Sequence, residues 1–250
     1  MAYFKYDSKE IYYYEIGQGK PILLLHGNTA SSKMFELLLP MYQQDFKVIL
    51  IDFLGHGKSD RVDKFTCDIW KWQADQTIAL LKYLGYQTVS LVGTSGGAWV
   101  AINVALKRPD LVSHVVADSF DGRTLNDDFK DNLIIERRFA IQDEMSIGFY
   151  RWCQGNDWKK VVELDTNALL ECATLKKSLF FKDIKTLERP ILFTGSKADK
   201  MCRKDLVEEY QIMVKIINNA RMFVFDSGEH PSICTNAKET FLIIKNFIYD

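Results

Sequence analysis

The sequence predicts an α/β fold in which a mostly parallel central sheet is flanked by helices. Apolar runs of strand length, at residues 22–25, 48–51 and 89–92, alternate with longer runs of helical periodicity. Glycines and other turn-forming residues follow the ends of these strands, where loops are expected. The chain has 250 residues, of which 47% are hydrophobic, and this is enough for a substantial core in one domain that carries a large insertion.

The first half of the chain supplies the edge of the sheet and its first strands. Residues 1–16 predict an antiparallel hairpin, because segments rich in tyrosine and isoleucine flank a turn-like Asp-Ser-Lys sequence. Ser31 or Ser32 is expected to cap the first helix, and Gly85 to end the second. The elements that follow the hairpin are expected at residues 22–25 (strand), 31–42 (helix), 46–51 (strand) and 68–84 (helix).

The second half continues the alternation after one long interruption. From residue 121 to 189 the chain is charged, aromatic and helix-patterned, without a clear buried strand. We therefore expect a core formed by residues 1–120 and 190–250, with a helical cap inserted at 121–189. The other elements are expected at 89–92 (strand), 96–107 (helix), 114–117 (strand), 191–194 (strand), 203–217 (helix), 221–225 (strand) and 232–248 (helix).

The composition argues against several classes of function. Lysine plus arginine is 32 and aspartate plus glutamate is 33, and the resulting net charge of −1 disfavours a nucleic-acid-binding protein. No apolar run approaches the roughly 20 residues that span a bilayer, and no secretory signal is visible at the N-terminus. The five cysteines lie far apart without zinc-ligand spacing, which predicts free thiols in a cytoplasmic protein that holds no metal.

One motif points to a specific chemistry. Residues 93–97, Gly-Thr-Ser-Gly-Gly, form a G-x-S-x-G sequence between a predicted strand and a predicted helix. So abrupt a turn forces Ser95 into a strained backbone conformation, and the glycines avoid the collisions that Cβ atoms would cause there. The N-terminus of the following helix directs free N–H groups to the same point, where they can stabilise an oxyanion. Ser95 is therefore the candidate nucleophile.

Two further motifs make the chain resemble the α/β-hydrolase superfamily, in particular its small, cap-bearing serine esterases. His26-Gly27-Asn28 follows the first buried strand as the family's H-G-x motif does, and residues 52–59 (DFLGHGKS) resemble its D-x-x-G-H-G-x-S loop. With the nucleophile elbow at 93–97, three motifs stand in the family's order, each at the carboxyl end of a predicted strand. The resemblance covers essentially the whole chain and implies a triad in the order serine, acid, histidine.

The resemblance implies that His230 is the catalytic base and Asp199 the acid. His230 lies in a Ser-Gly-Glu-His-Pro sequence directly after the last predicted strand, as the family's histidine does. Asp199 follows the strand at 191–194, where the family's acid usually stands, although it comes four residues after a glycine and three is common. Asp118 and Asp121 remain alternatives, because a minority of the family carries the acid after the preceding strand.

The resemblance also implies an oxyanion hole formed by the backbone N–H groups of Asn28 and Gly96. The side-chain amide of Asn28 is a further donor at that place. Related dehalogenases carry a similar H-G-N sequence, but they need an aspartate nucleophile that is usually followed by tryptophan. Ser95 and Gly96 occupy those positions here, which disfavours dehalogenation and epoxide opening.

We therefore expect a serine hydrolase that cleaves ester-like bonds of a small or medium organic substrate through an acyl-enzyme, as a carboxylesterase does. Cleavage of C–C, thioester, lactone or amide bonds by the same triad is an alternative, as is a ligand-sensing signalling protein on the hydrolase fold. The cap aromatics, among them Trp152 and Phe180, are expected mainly to pack the cap against the core, and a few to line an apolar pocket. The expected partner is a small-molecule substrate, without a cofactor, nucleic acid or membrane.

Overall fold

An eight-stranded sheet lies at the centre of the computed structural model, which describes residues 2–250. In chain order its strands are β1 (Ala2–Tyr6), β2 (Lys9–Ile16), β3 (Lys20–Leu25), β4 (Phe46–Ile51), β5 (Val89–Thr94), β6 (Val112–Asp118), β7 (Ile191–Ser196) and β8 (Ala220–Phe225). Their spatial order is β1-β2-β4-β3-β5-β6-β7-β8, with β2 antiparallel to both neighbours and the other pairs parallel. The predicted fold class is confirmed.

Helices cover both faces of the sheet. They are α1 (Leu39–Tyr42), α2 (Ile69–Leu84), α3 (Gly96–Lys107), α4 (Phe129–Ala140), α5 (Glu144–Gln154), α6 (Trp158–Thr174), α7 (Leu206–Ile216), α8 (Ser232–Thr235) and α9 (Ala237–Tyr249). Because side chains alternate along a strand, Leu23 and Leu91 share a buried cluster with α2 and α3. Leu24 and Val92 face the other way and pack with α1 and α9. None of the helices within residues 2–250 has the length and apolar character needed to cross a bilayer.

Two of the predicted helices are interrupted. The helix expected at 31–42 is a 3₁₀ turn at Ser32–Phe35 followed by the short α1, because Pro40 lacks the N–H that a continuous helix needs and instead starts a new one. Ser31, one of the two predicted caps, is the N-cap residue of the 3₁₀ turn, but its hydroxyl makes no capping hydrogen bond and instead donates to the carbonyl of Cys153 at 2.9 Å. The helix expected at 232–248 is divided at Asn236 into α8 and α9.

Between β6 and β7, the helices α4, α5 and α6 lie over loops at the carboxyl edge of the sheet. The side chain of Gln154, at the end of α5, donates to the carbonyls of Thr29 and Ala30 at 2.9 and 2.8 Å. The same side chain accepts a hydrogen bond from the N–H of Gly57 at 2.7 Å. These contacts fix the end of α5 above the two glycine-containing loops that follow β3 and β4.

Candidate active site

Ser95 forms the sharp turn between β5 and α3. Its φ of 53° and ψ of −124° lie in a region that residues with side chains rarely adopt, so the backbone is strained there. A Cβ on Gly93 would collide with the carbonyl of Gly97, and one on Gly97 would collide with the carbonyl of Leu25. Both positions therefore require glycine. The N–H of Ser95 donates to the carbonyl of Asp118 at 2.8 Å, which holds the turn against the end of β6.

His230 lies in the loop between β8 and α8 and is paired with Asp199. Its Nδ1 is 2.7 Å from Oδ2 of Asp199, whose side chain is fully buried, while 13% of the His230 side chain is exposed. Burial alone would lower the pKa of His230, but the hydrogen bond and the negative charge of Asp199 raise it above its usual value. The pKa of Asp199 is lowered, because the contacts with His230 outweigh the effect of burial. The pair thus stabilises a charged imidazolium.

The carboxylate of Asp118 ties the serine turn to the histidine loop. It accepts four hydrogen bonds, from the hydroxyls of Thr94 (2.8 Å), Thr194 (2.7 Å) and Ser232, and from the N–H of Ile233 (3.2 Å). The first donor directly precedes Ser95, and the last two follow His230 within three residues. One buried carboxylate therefore brings both candidate residues to the same edge of the sheet.

The two alternative acids are bound to other groups. Asp118 is occupied by the four donors just described, and burial raises its pKa. Asp121 accepts hydrogen bonds from the N–H of Arg203 at 2.8 Å and from the amide of Asn126 at 3.1 Å, and burial raises its pKa to about 6. The hydrogen-bonded partner of His230 is Asp199 and not either of these carboxylates.

Asn28 and Gly96 meet beside the serine. A Cβ on Gly96 would collide with Oδ1 of Asn28, and a Cβ on Gly27 would lie 2.9 Å from that of Ser95, so the H-G-N turn packs directly against the elbow. Gly96 is the first residue of α3, and its N–H has no acceptor within the helix. The geometry therefore allows backbone donors from both segments to reach an oxygen bound beside the side chain of Ser95.

A family model for the α/β-hydrolase fold matches residues 20–153, more than half of the chain, including the H-G-N turn and the elbow. The chain belongs to the α/β-hydrolase fold family. A 2-(acetamidomethylene)succinate hydrolase of Mesorhizobium japonicum is 36% identical over 107 residues, which cover 42% of this chain and 37% of that enzyme. A strigolactone esterase of Arabidopsis thaliana is 30% identical over 116 residues, which cover 45% of this chain and 43% of the esterase. The chain thus matches less than half the length of either relative.

The fold of this chain resembles that of a solved structure over nearly the whole length of both chains. That of an E-2-(acetamidomethylene)succinate hydrolase has a TM-score of 0.76 and covers 98% of this chain and 97% of its own. Its sequence identity is 21%, so the likeness concerns the fold. The shared fold includes the core on which the elbow and the histidine loop are built.

Two histidines of this α/β-hydrolase support loops near the site. His26 is buried, with Nδ1 2.8 Å from the carbonyl of Gly27, and its Nε2 accepts a hydrogen bond from the N–H of Phe53 at 3.2 Å. The ring of His56 is stacked on that of Phe65, with centroids 4.8 Å apart, and burial holds its pKa well below the usual value. Both rings are therefore engaged in packing and in loop hydrogen bonds.

Sequence reasoning missed two residues that touch the site. Trp70 donates from Nε1 to Oδ1 of Asn28 at 3.1 Å, and so fixes the orientation of that side chain. Cys202 lies 3.4 Å from Oδ2 of Asp199 and 4.0 Å from Nδ1 of His230. A tryptophan within a helix and a single cysteine carry no local signal, and the position of Cys202 three residues after the expected acid is the only hint in the sequence.

Within residues 2–250 no hydrogen bond joins the hydroxyl of Ser95 to the ring of His230; the ring's polar contacts are with Asp199 and Cys202. Catalytic hydrogen bonds of this kind are often long in the free enzyme and form fully only with substrate bound.

Proposed function

We propose that this chain is a serine hydrolase that cleaves ester-like bonds through an acyl-enzyme. The observation that carries the proposal is the strained turn at Ser95, held by Asp118 at the same edge of the sheet as the buried Asp199–His230 pair. A serine hydroxyl is a weak nucleophile until a base removes its proton. A histidine whose charged form is stabilised by a buried carboxylate is suited to that task.

The proposed reaction has two halves. Ser95 attacks the carbonyl carbon while Nε2 of His230 accepts its proton, and Asp199 stabilises the imidazolium through Nδ1–H. The N–H groups of Asn28 and Gly96 bind the oxyanion. His230 then gives the proton to the leaving alcohol, and afterwards activates the water molecule that hydrolyses the acyl-enzyme.

A carboxylesterase that acts on small or medium esters is the more specific form of the proposal. The local identity with a strigolactone esterase supports ester hydrolysis. The identity with 2-(acetamidomethylene)succinate hydrolase supports a second candidate, hydrolysis of another acyl bond by the same residues. Parallel assays on ester and amide substrates distinguish the two.

Covalent labelling and turnover together test the nucleophile. We expect the wild-type protein to react with a fluorophosphonate probe and to hydrolyse p-nitrophenyl acetate and butyrate, and Ser95→Ala to lose both properties. Ser119→Ala is the matched control, because Ser119, like Ser95, directly follows a strand and has a positive φ, of 50°, while its hydroxyl accepts a hydrogen bond from the N–H of Ser232. This variant should still be labelled.

Equal turnover by the wild-type protein and Ser95→Ala would refute the assignment of the nucleophile. Rapid labelling of the wild-type protein without repeated turnover of any ester would favour a ligand-sensing protein over an enzyme.

A further inference from the structure

Three different metal-binding atoms meet behind the histidine ring. Sγ of Cys202 lies 3.4 Å from Oδ2 of Asp199 and 4.0 Å from Nδ1 of His230, and the last two atoms are 2.7 Å apart. All three atoms lie within 4.8 Å of one another. We propose that this cluster binds a thiophilic divalent metal, Zn²⁺ in particular, and that the bound metal inhibits the hydrolase. Inhibition rests on the proposed function, whereas metal binding does not.

The spacing suits a tetrahedral ion. Zinc binds sulfur at about 2.3 Å and nitrogen or oxygen at about 2.0–2.2 Å, which places tetrahedral ligand atoms roughly 3.4–3.6 Å apart. The two separations that involve Sγ, 3.4 and 4.0 Å, are already close to this value. The 2.7 Å contact between His230 and Asp199 must open by roughly 0.7 Å, a shift within reach of small side-chain rotations. A fourth position is left for water.

The charges of the cluster also suit a divalent ion. A thiolate and a carboxylate together carry two negative charges, and a neutral imidazole adds none. A cysteine binds a metal as its thiolate, so binding at Cys202 releases the proton of the thiol. Cys202 and Asp199 are buried, whereas 13% of the His230 side chain is exposed, and Met201 beside Cys202 is 53% exposed.

Metal binding and catalysis require opposite tautomers of His230. In the proposed reaction Nδ1 carries the proton that binds Asp199, and Nε2 offers the lone pair that accepts the proton of Ser95. A metal bound at Nδ1 uses the lone pair there and leaves the proton on Nε2, which can then no longer act as the base. The metal lies on the side of the ring opposite to Nε2. We therefore expect zinc to lower kcat while KM stays nearly constant.

Cobalt binding tests the site without any hydrolytic assay. We expect one Co²⁺ per chain to give a sulfur-to-cobalt charge-transfer band in the wild-type protein, and Cys202→Ala and Cys202→Ser to lose it. Serine keeps the size and the hydrogen-bond donor of the cysteine, so this variant provides a folded test if alanine destabilises the loop. Cys172→Ala is the matched control, because Cys172 and Cys67 line one small cavity elsewhere and form the alternative thiol site. Its band should persist.

Zinc titration of ester hydrolysis tests the inhibition. We expect the wild-type protein to be inhibited reversibly, with activity restored by EDTA, and Cys202→Ser, measured relative to its own metal-free rate, to need at least about tenfold more zinc. Absence of the cobalt band in the wild-type protein, or its persistence in Cys202→Ser, would overturn the site. Equal zinc sensitivity of the two proteins would overturn the inhibitory role. A cobalt band that depends on Cys202 in a protein that hydrolyses no ester would uphold the site and count against the proposed function.

Discussion

Oδ2 of Asp199 controls the protonation of His230 across a contact of 2.7 Å. Because the pKa of His230 is raised, the neutral ring that accepts a proton is populated only above that raised pKa. Activity should therefore be lost as the pH falls through this value and reach a plateau on the alkaline side. The measurement is kcat/KM for p-nitrophenyl butyrate as a function of pH, and an acid optimum would contradict a neutral histidine base.

Replacing the carboxylate should move this pH profile as well as the rate. We expect Asp199→Asn to lower kcat/KM on the order of 10⁴-fold, since the ring loses the partner that fixes its tautomer. The acidic limb should shift to lower pH, because the charge that raised the pKa of His230 is gone. Asp121→Asn is the control and should change the rate only a few-fold, since Asp121 binds Arg203 and Asn126. If Asp121→Asn instead lost most of its kcat/KM while Asp199→Asn stayed active, Asp121 and not Asp199 would be the acid that pairs with His230.

Some residues of the candidate site can be predicted from a local sequence motif, whereas others are brought to the site only by the packing of the fold. Ser95 and Asn28 stand in motifs whose geometry is set by their immediate neighbours, so the sequence predicts their placement. His230 and Asp199 are 31 positions apart, and their pairing could be predicted only from the order of catalytic residues in the family that the chain resembles. The contact between Trp70 and Asn28 spans 42 positions and follows from the packing of α2 on the sheet, which no local pattern specifies.

Among the elements, the junction of β5, β6, β7 and α8 depends on one carboxylate. Asp118→Ala would leave three hydroxyls and one N–H without their buried acceptor. We expect the free energy of unfolding to fall by about 3 kcal/mol or more, measured by urea denaturation. Hydrolysis should fall too, because the histidine loop loses its anchor. An unchanged stability would show that these donors find other acceptors.

Replacing either of two glycines by alanine should change the free energy of unfolding, and in opposite directions at the two positions. Gly93 touches the backbone of Gly97, so Gly93→Ala should lower the free energy of unfolding by about 3 kcal/mol or more. Gly148 is exposed within α5 and has no atom within 4 Å of an added Cβ, so Gly148→Ala should raise the free energy of unfolding by about 0.5–1 kcal/mol. Thermal and urea unfolding measure both effects. A destabilised Gly148→Ala would mean that α5 needs this glycine for a reason other than space.

The elements themselves were predictable where one local signal dominates. Gly85 ends α2 with a φ of 73°, and Asp7 and Ser8 adopt the positive φ of a tight hairpin. The segment at 31–42 was not predictable as two short pieces, because its helical periodicity competes with Pro40 and with tertiary contacts. One of these contacts is the hydrogen bond from Ser31 to Cys153, a residue 122 positions away.

At the scale of the whole molecule, the helices over the site are attached to the core unevenly. The junction of α5 and α6 is held by Gln154 and by Arg61, whose guanidinium pairs with Asp157 at 2.7 and 2.9 Å. In α4, by contrast, only Leu133 and Ala140 are buried. The guanidinium of Arg137 in α4 also donates hydrogen bonds to α5 and α6, and these are long. Its distances to Thr166, Tyr150 and Asp165 are 3.2–3.4 Å.

This asymmetry predicts which of the helices α4, α5 and α6 separates first from the rest of the molecule. Ile135 and Phe139 of α4 are 65% and 66% exposed, so little apolar burial opposes its separation from the rest of the molecule. Amide hydrogen exchange followed by mass spectrometry should show lower protection in α4 than in α5 or α6. Gln154→Ala should raise exchange at the end of α5 without changing α7, which lies on the core. Equal protection of α4 and α6 would contradict this prediction and would mean that the three helices open together as one unit.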